Sequence, residues 1–333
     1  MPLEYTSAVE NATKALYGKL SRQYTPERWR ELAPLIHAIN TLKKEKNAVI
    51  LAHNYMTPDI FYGVADIVGD SLQLAREAAK TNASMIIQCG VHFMAETAKI
   101  LCPDKKVIMP DMAAGCSLAE SITAEDIRAL KRAHPNVPVI TYVNTSAAVK
   151  AESDVCCTSS NALKIVEALG REGHSAVIMT PDKFLAQNVA SQTTIKVLYW
   201  EGTCMVHERF TAQDVKDLRA QHGDVFVLAH PECPPEVIAV SDYSGSTAQM
   251  DDYIKTHQPK KAILMTECSM SDNIAAANPQ VEMIGTCQMC PHMKRITLPK
   301  ILKALETEGP EVFVDSEISA RARRAVERML ELS

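Results

Sequence analysis

The sequence predicts a parallel α/β fold built from three copies of one unit. Short apolar runs rich in Val and Ile alternate with segments of helical periodicity along most of the 333 residues. This alternation is typical of parallel sheets covered by helices. Polar residues near the ends of the runs also recur at intervals of about 88 residues, which indicates an internal repeat.

Eight apolar runs predict the strands. In chain order they are residues 47–53, 83–88, 106–109, 137–143, 175–180, 196–199, 224–230 and 261–266. The segments between them, such as 72–80 and 162–171, have apolar residues at helical spacing. Each repeat is therefore predicted to run strand, helix, strand, helix, strand.

Three sets of markers define the repeat, and the members of each set lie 86 to 89 residues apart. The sets are a hydroxyl residue before a helix (Ser71, Ser159, Thr247), a polar residue at a strand end (His53, Tyr142, His230) and a cysteine (Cys116, Cys204, Cys290). Because functional groups gather at the carboxyl ends of parallel strands, packing about a pseudo-threefold axis would bring all nine to one central cavity. The predicted segments are an N-terminal helical extension at 1–45, repeats at 46–134, 135–223 and 224–290, and C-terminal helices at 291–333.

Composition excludes several classes of function. The formal charge is −5 and aromatic residues make up 5% of the chain, so we expect no nucleic-acid partner. The sequence has no signal-peptide run and no stretch of 18 apolar residues, which predicts a cytoplasmic protein without a membrane segment. The ten cysteines are then expected to be thiols or metal ligands and not disulfides.

The three repeat cysteines are candidate metal ligands. Soft thiolate sulfur suits zinc or an iron–sulfur cluster, and spacings of 88 and 86 residues match no zinc finger or ribbon. Three ligands without a fourth would leave one iron of a [4Fe-4S] cluster open to substrate as a Lewis acid. Structural zinc is the weaker alternative. Cys287 and Cys290 form the single Cys-x-x-Cys motif, and the repeat spacing favours Cys290 as the ligand.

The helix starts near Ser71, Ser159 and Thr247 indicate an anionic substrate. Each hydroxyl residue is expected to cap a helix whose free N–H groups hold a carboxylate or phosphate. The chain has no dinucleotide or nucleotide-triphosphate glycine motif. Polar residues near the strand ends are the candidate acid–base groups: His53, Tyr55, Tyr142, Asn144, His207, His230 and Glu232.

Ten short motifs follow one another along nearly the whole chain. They include Ala52-His-Asn-Tyr55, Gly69-Asp-Ser71, Tyr142-Val-Asn-Thr145, Cys204-Met-Val-His207, His230-Pro-Glu-Cys233 and Cys290-Pro-His-Met-Lys294. Together they resemble the quinolinate synthase family, the iron–sulfur enzymes of de novo NAD biosynthesis. The resemblance implies three similar three-layer α/β/α domains with parallel sheets, in pseudo-threefold arrangement around a central active site. It also implies a [4Fe-4S] cluster with one open iron, held by Cys116, Cys204 and Cys290.

The resemblance further implies a transferase that condenses iminoaspartate with dihydroxyacetone phosphate to quinolinate, releasing phosphate and two waters. An L-aspartate oxidase or dehydrogenase would supply the iminoaspartate. The implied substrate contacts are His53, Ser71, Tyr142, Asn144, Ser159, His230, Glu232 and Thr247. The implied catalytic residues are Glu232, His230, Tyr142, Tyr55 and His207.

Within this set, Glu232, oriented beside His230, is expected to move protons. Two hypotheses from other classes stay open. One is a zinc-stabilised α/β protein that binds dicarboxylates, and the other is a redox protein that uses Cys287 and Cys290.

Overall fold

The computed structural model describes residues 3–286 and 288–333, and it confirms the predicted α/β architecture. Twelve strands of the described residues form three separate four-stranded sheets, one for each unit of the fold. The first sheet contains β1 (Ala48–His53), β2 (Ile67–Gly69), β3 (Met85–Cys89) and β4 (Lys106–Ile108). The second contains β5 (Val139–Tyr142), β6 (Val155–Cys157), β7 (Ala176–Thr180) and β8 (Lys196–Tyr199). The third contains β9 (Phe226–Ala229), β10 (Tyr243–Ser244), β11 (Lys261–Met265) and β12 (Glu282–Ile284).

The three sheets have the same topology. Their strand orders are β2-β1-β3-β4, β6-β5-β7-β8 and β10-β9-β11-β12, and every pairing is parallel. Four of these strands were not predicted: β2, β6, β10 and β12. They are only two or three residues long, too short to show a strand pattern in the sequence. Their pairing to longer neighbours exists only in the folded sheet.

Helices cover the faces of the sheets. Those before and within the first unit are α1 (Ser7–Leu20), α2 (Pro26–Glu45), α3 (Pro58–Phe61), α4 (Ser71–Lys80), α5 (His92–Leu101), α6 (Ser117–Glu120) and α7 (Ala124–Ala133). The second unit has α8 (Ala147–Glu152), α9 (Ala162–Arg171), α10 (Lys183–Ala190), a 3₁₀ turn at His207–Arg209 and α11 (Ala212–His222). The third unit has α12 (Pro235–Val240), α13 (Thr247–His257), α14 (Cys268–Ala277) and a 3₁₀ turn at Met293–Arg295, and the chain ends with α15 (Leu298–Thr307) and α16 (Ser316–Glu331). The segment boundaries at 45, 134, 223 and 290 stay a prediction.

Both faces of a sheet are buried, as a three-layer unit requires. In the third sheet, Leu228 and Leu264 belong to the main apolar core of the molecule. Their neighbours Val227 and Ile263 belong to a second core on the opposite face, together with Val215 of α11. The terminal helices extend the main core, because α15 packs on α2 and α16 packs on α8 and β6. Within the described ranges, no helix combines the length and apolarity needed to cross a bilayer.

The helix caps differ from the prediction. Ser71 and Thr247 are the first helical residues of α4 and α13, and the side chains that cap these helices are those of Asp70 and Ser246. Asn161 occupies the cap position of α9, two residues after Ser159. The prediction that Ser71, Ser159 and Thr247 are caps was therefore wrong. In α4 and α13 the preceding residue accepts the free N–H group, which leaves the hydroxyl after it available for another partner.

The cap assignment predicts effects of different size for two adjacent substitutions. Ser246 is fully buried, and its hydroxyl accepts from the N–H of Gln249. Ser246→Ala should lower the free energy of unfolding by about 1–2 kcal/mol, the usual effect of a lost cap. Thr247→Ala, the matched control, keeps the cap and should change stability less. Chemical denaturation of both variants measures the difference, and a larger loss for Thr247→Ala would contradict the assignment.

Candidate active site

One cavity lies where the carboxyl ends of the three sheets meet. Residues from all three units line it. All thirteen candidate residues from the sequence are among them: His53, Tyr55, Ser71, Cys116, Tyr142, Asn144, Ser159, Cys204, His207, His230, Glu232, Thr247 and Cys290. The marker residues of each sheet therefore line the same cavity, as expected for parallel strands whose carboxyl ends face a common centre.

The three repeat cysteines have the same local geometry. Each is half-buried; Cys116 directly precedes α6, and Cys204 and Cys290 lie three residues before the two 3₁₀ turns. In each case the backbone N–H groups of the second and third residues after the cysteine point at its sulfur. These donors are Leu118 and Ala119, Val206 and His207, and His292 and Met293. Such amides stabilise a thiolate, so the three loops form equivalent cradles for anionic sulfur.

The electrostatic environment opposes three free thiolates. Burial raises the pKa of Cys116 to about 12, and the charges of Glu232 and Cys290 also act in this direction. Burial likewise raises the pKa of Cys204 and of Cys290 above its ordinary value. Without a cation the sulfurs stay protonated, whereas a bound metal would convert them to thiolates. Three soft donors with amide cradles fit a metal or an iron–sulfur cluster.

Glu232 is a buried carboxylate held by two donors. Its side chain is 4% exposed. The Tyr142 hydroxyl donates to Oε1 at 2.5 Å. Nδ1 of His207 donates to Oε2 at 2.8 Å and also lies 3.2 Å from the sulfur of Cys204. Burial alone would raise the pKa of Glu232, but the neighbouring His207 and His230 and the two donated hydrogen bonds outweigh it and keep this pKa below its usual value. Glu232 is therefore ionised at neutral pH.

The direct partners of Glu232 differ from those the sequence indicated. Nδ1 of His230 lies 3.9 Å from Oε1 of Glu232, beyond hydrogen-bond distance. The His230 ring stacks on His207 instead, with centroids 4.6 Å apart. The reason is local, because Nδ1 of His230 accepts the backbone N–H of Glu232 at 3.2 Å.

Thr266 extends this network and was missed as a candidate residue. Its hydroxyl, fully buried after β11, lies 2.9 Å from Nε2 of His207 and 2.6 Å from the Tyr55 hydroxyl. A continuous chain of hydrogen bonds thus runs from Tyr142 through Glu232, His207 and Thr266 to Tyr55. The signal in the sequence was the position of Thr266 at the end of an apolar run, the same signal that identified His53 and His230.

His53 and His230 are both neutral imidazoles. Burial lowers the pKa of His53 to about 4 and that of His230 to about 3. In each ring Nδ1 accepts the backbone N–H two residues further on, from Tyr55 and Glu232 respectively, at 3.2 Å. The proton therefore lies on Nε2, and each ring can offer one neutral N–H donor to a bound molecule.

The remaining lining groups are hydroxyls and an amide. Ser71 and Thr247 begin helices of ten and eleven residues. The Thr247 hydroxyl accepts from Nδ2 of Asn54 at 2.9 Å. The buried Oδ1 of Asn144 has no hydrogen-bond partner among the described residues, so it is an acceptor available to a donor group of a ligand. The described lining residues include no lysine or arginine.

A second set of potential metal ligands overlaps the network. Ligand atoms of Cys204, His207 and Glu232 all lie within 4.8 Å of one another. Zinc accepts this combination of sulfur, nitrogen and oxygen. However, Nδ1 of His207 already donates to Glu232 and Nε2 contacts Thr266, so a metal bound to the histidine would displace one of these hydrogen bonds.

The other cysteines of the described residues do not line the cavity. Cys89, Cys102, Cys156, Cys157 and Cys233 are buried, as expected for small apolar residues, whereas Cys268 is partly exposed. Cys287 lies outside the described residues, so the predicted pairing of Cys287 with Cys290 in a redox dithiol has no structural counterpart to report.

Comparison with known proteins identifies the family. Residues 37–331 match the family model described as "Quinolinate synthetase A protein". The chain is 56% identical over 329 residues to the quinolinate synthase of Caulobacter vibrioides, covering 98% of this chain and 90% of the relative. It is 57% identical over 324 residues to quinolinate synthase 1 of Mesorhizobium japonicum, covering 97% and 99%. It is also 61% identical over 295 residues to the quinolinate synthase of Xylella fastidiosa, covering 89% and 86%. With this match over nearly its whole length, the chain belongs to the quinolinate synthase family.

Proposed function

We propose that this chain is a quinolinate synthase of NAD biosynthesis, a transferase that converts iminoaspartate and dihydroxyacetone phosphate to quinolinate, phosphate and two waters. The observation that carries the proposal is the convergence of three cradled cysteines and an ionised, hydrogen-bonded Glu232 on one cavity, in a chain of this family. An L-aspartate oxidase or dehydrogenase would supply the iminoaspartate.

The cavity suits substrates that carry carboxylates and a phosphate. It has no lining lysine or arginine among the described residues, so anions would be held by neutral donors. His53 and His230 each provide an Nε2–H, and the starts of α4 and α13 provide hydroxyls and backbone N–H groups. Neutral donors bind an anion with less desolvation than a buried cation would require.

We assign the metal role to the three cysteines. Cys116, Cys204 and Cys290 would hold a [4Fe-4S] cluster, which when bound supplies an iron without a protein ligand that acts as a Lewis acid on a hydroxyl or carboxylate oxygen. Their amide cradles support this assignment, because all three loops share one geometry. The overlapping Cys204, His207 and Glu232 set lacks such equivalence.

The hydrogen-bonded network would move the protons. Quinolinate takes its nitrogen and four carbons from iminoaspartate, two carbons in the ring and two as the carboxylates, so one carbon–carbon bond and one carbon–nitrogen bond must form to the three-carbon substrate. Aromatisation then requires loss of protons from carbon and of hydroxyl groups as water. Glu232 accepts from both Tyr142 and His207. A proton that the substrate gives to Tyr142, or through Thr266 to Nε2 of His207, would therefore be matched by transfer of that donor's own proton to Glu232. Such positioned transfer is general acid–base catalysis.

The cysteine assignment predicts loss of the cluster. Cys116→Ser, Cys204→Ser and Cys290→Ser should each lower iron and sulfide content strongly after anaerobic purification, because each removes one of three protein ligands. Cys102→Ser is the matched control, since Cys102 is buried and its sulfur contacts the carbonyl of Ala78, and it should keep the parental iron content. A colourless parental protein with stoichiometric zinc would instead favour the dicarboxylate-binding alternative.

The role of Glu232 predicts a loss of turnover without loss of the cluster. Glu232→Gln keeps the size of the side chain but removes the ionised acceptor, and the rate of quinolinate formation should fall by about 10²–10⁴-fold. Glu236→Gln, an exposed position on α12, should leave the rate near parental. Iron content is measured on the same samples. A Glu232→Gln protein with parental turnover would remove Glu232 from the mechanism.

The anion sites predict weaker substrate binding when the hydroxyls are removed. A hydrogen bond to a charged group contributes about 1.5–3 kcal/mol, so Ser71→Ala, Ser159→Ala and Thr247→Ala should each raise KM by roughly ten- to a hundredfold. Ser241→Ala, whose hydroxyl contacts only the Val237 carbonyl within α12, serves as the control. Steady-state kinetics on cluster-loaded protein provides the measurement, and parental KM values in all three variants would refute the anion-site assignment.

A further inference from the structure

Two buried asparagines each reach from one unit to a site loop of another unit. Asn188 lies on α10 of the second unit, and its Nδ2 donates to the carbonyls of Pro231 and Cys233 in the third unit, both at 2.9 Å. These carbonyls flank Glu232. The asparagine is 6% exposed, Cys233 is fully buried and Pro231 is partly buried, so water has little access to these hydrogen bonds without local opening.

Asn273 makes the same contact one unit further on. It lies on α14 of the third unit, and its Nδ2 donates to the carbonyls of Asn54 and Met56 in the first unit, at 3.1 and 2.9 Å. These carbonyls flank Tyr55. Asn273 is 3% exposed. Each asparagine is the sixth residue after the cap of its helix, which is Asp182 for α10 and Glu267 for α14.

The two loops held in this way have the same turn. In the Glu232 loop, His230 accepts the Glu232 N–H on Nδ1 at 3.2 Å and the Cys233 N–H on its carbonyl at 2.9 Å. In the Tyr55 loop, His53 accepts the Tyr55 N–H at 3.2 Å and the Met56 N–H at 2.9 Å. The turn thus uses its amides internally and leaves two carbonyls without a local donor.

In the second unit, the two equivalent carbonyls accept hydrogen bonds from donors of the same unit. The carbonyl of Val143 accepts from the N–H of Thr145, and that of Thr145 accepts from the buried Nζ of Lys150. On α5, the sixth residue after the cap Val91 is Thr97, whose hydroxyl bonds back to its own helix at the Phe93 carbonyl. An asparagine is therefore present only where the neighbouring loop has free carbonyls.

We propose that Asn188 and Asn273 are positioning residues, which hold the Glu232 loop and the Tyr55 loop at the geometry that the reaction requires. The inference rests on the proposed function, because it assigns them to the catalytic network. Neither asparagine is among the described residues that line the cavity, and their side chains donate to the backbone of the loops. Since both contacts cross between units, they also fix how the units meet around the cavity.

The first measurement is hydrogen exchange at the two loops, which needs no activity. Asn188→Ala should speed exchange of the Glu232 and Cys233 amides by about tenfold or more, and leave those of Tyr55 and Met56 unchanged. Asn273→Ala should give the reverse pattern. If an alanine variant folds poorly, Asn188→Asp and Asn273→Asp replace it. The aspartate keeps the side-chain size but has no N–H to donate to the two carbonyls, so the same pattern is expected. Uniform loosening, or none, would overturn the proposal.

The second measurement is turnover. A displacement of about 1 Å can lower a rate by about a hundredfold, so each variant should lose about ten- to a hundredfold in kcat with a smaller change in KM and with parental iron content. Asn278→Ala is the matched control, because Asn278 is equally buried and its Nδ2 bonds only within α14, to the Ile274 carbonyl. Parental kcat in the Asn188 and Asn273 variants would refute the positioning role alone. Absence of quinolinate formation in the parental protein would refute the proposed function.

Discussion

An ionised carboxylate in a buried cavity needs donors, and the site is organised around this requirement at Glu232. Its two oxygens accept from Tyr142 and His207, and His207 in turn contacts Thr266, which contacts Tyr55. The chain of contacts includes residues from all three units. Burying the carboxylate without these partners would raise its pKa and favour the protonated form. The position of each unit around the cavity thus determines whether the Glu232 carboxyl group is charged.

The repeated units share backbone geometry at the cavity, but some of the side chains at equivalent positions differ in chemistry. The same turn presents Tyr55 in the first unit and Glu232 in the third. In contrast, the three cysteines have kept both their residue type and their amide cradles. This difference is expected if the sulfurs share one metal centre, which needs equivalent ligands, while the acid–base groups act at different atoms of an asymmetric substrate.

The anion binding that we propose for this cavity would depend on groups without formal positive charge. His53 and His230 are neutral because burial lowers the pKa of each ring. A lysine or arginine buried in the cavity would have formed an ion pair with the Glu232 carboxylate. Neutral imidazoles, hydroxyls and helix N-termini form no such ion pair, so the hydrogen bonds of Glu232 to Tyr142 and His207 are kept.

The amino-acid sequence alone determined the α/β class, the threefold repeat and thirteen of the residues that line the cavity, because strand ends and repeat spacing are visible in the order of residues. Other lining residues, such as Asp70 and His292, were not predicted. The identity of the helix caps was not determined, since Asp70 and Ser246 compete with the hydroxyl residues next to them and only the backbone geometry decides which accepts. The two- and three-residue edge strands were also invisible, because pairing and not pattern defines them. Only the tertiary structure paired Glu232 with His207 and joined Asn188 to the Glu232 loop. These contacts span 25 and more than 40 residues of chain, and they form only when separate units pack against each other.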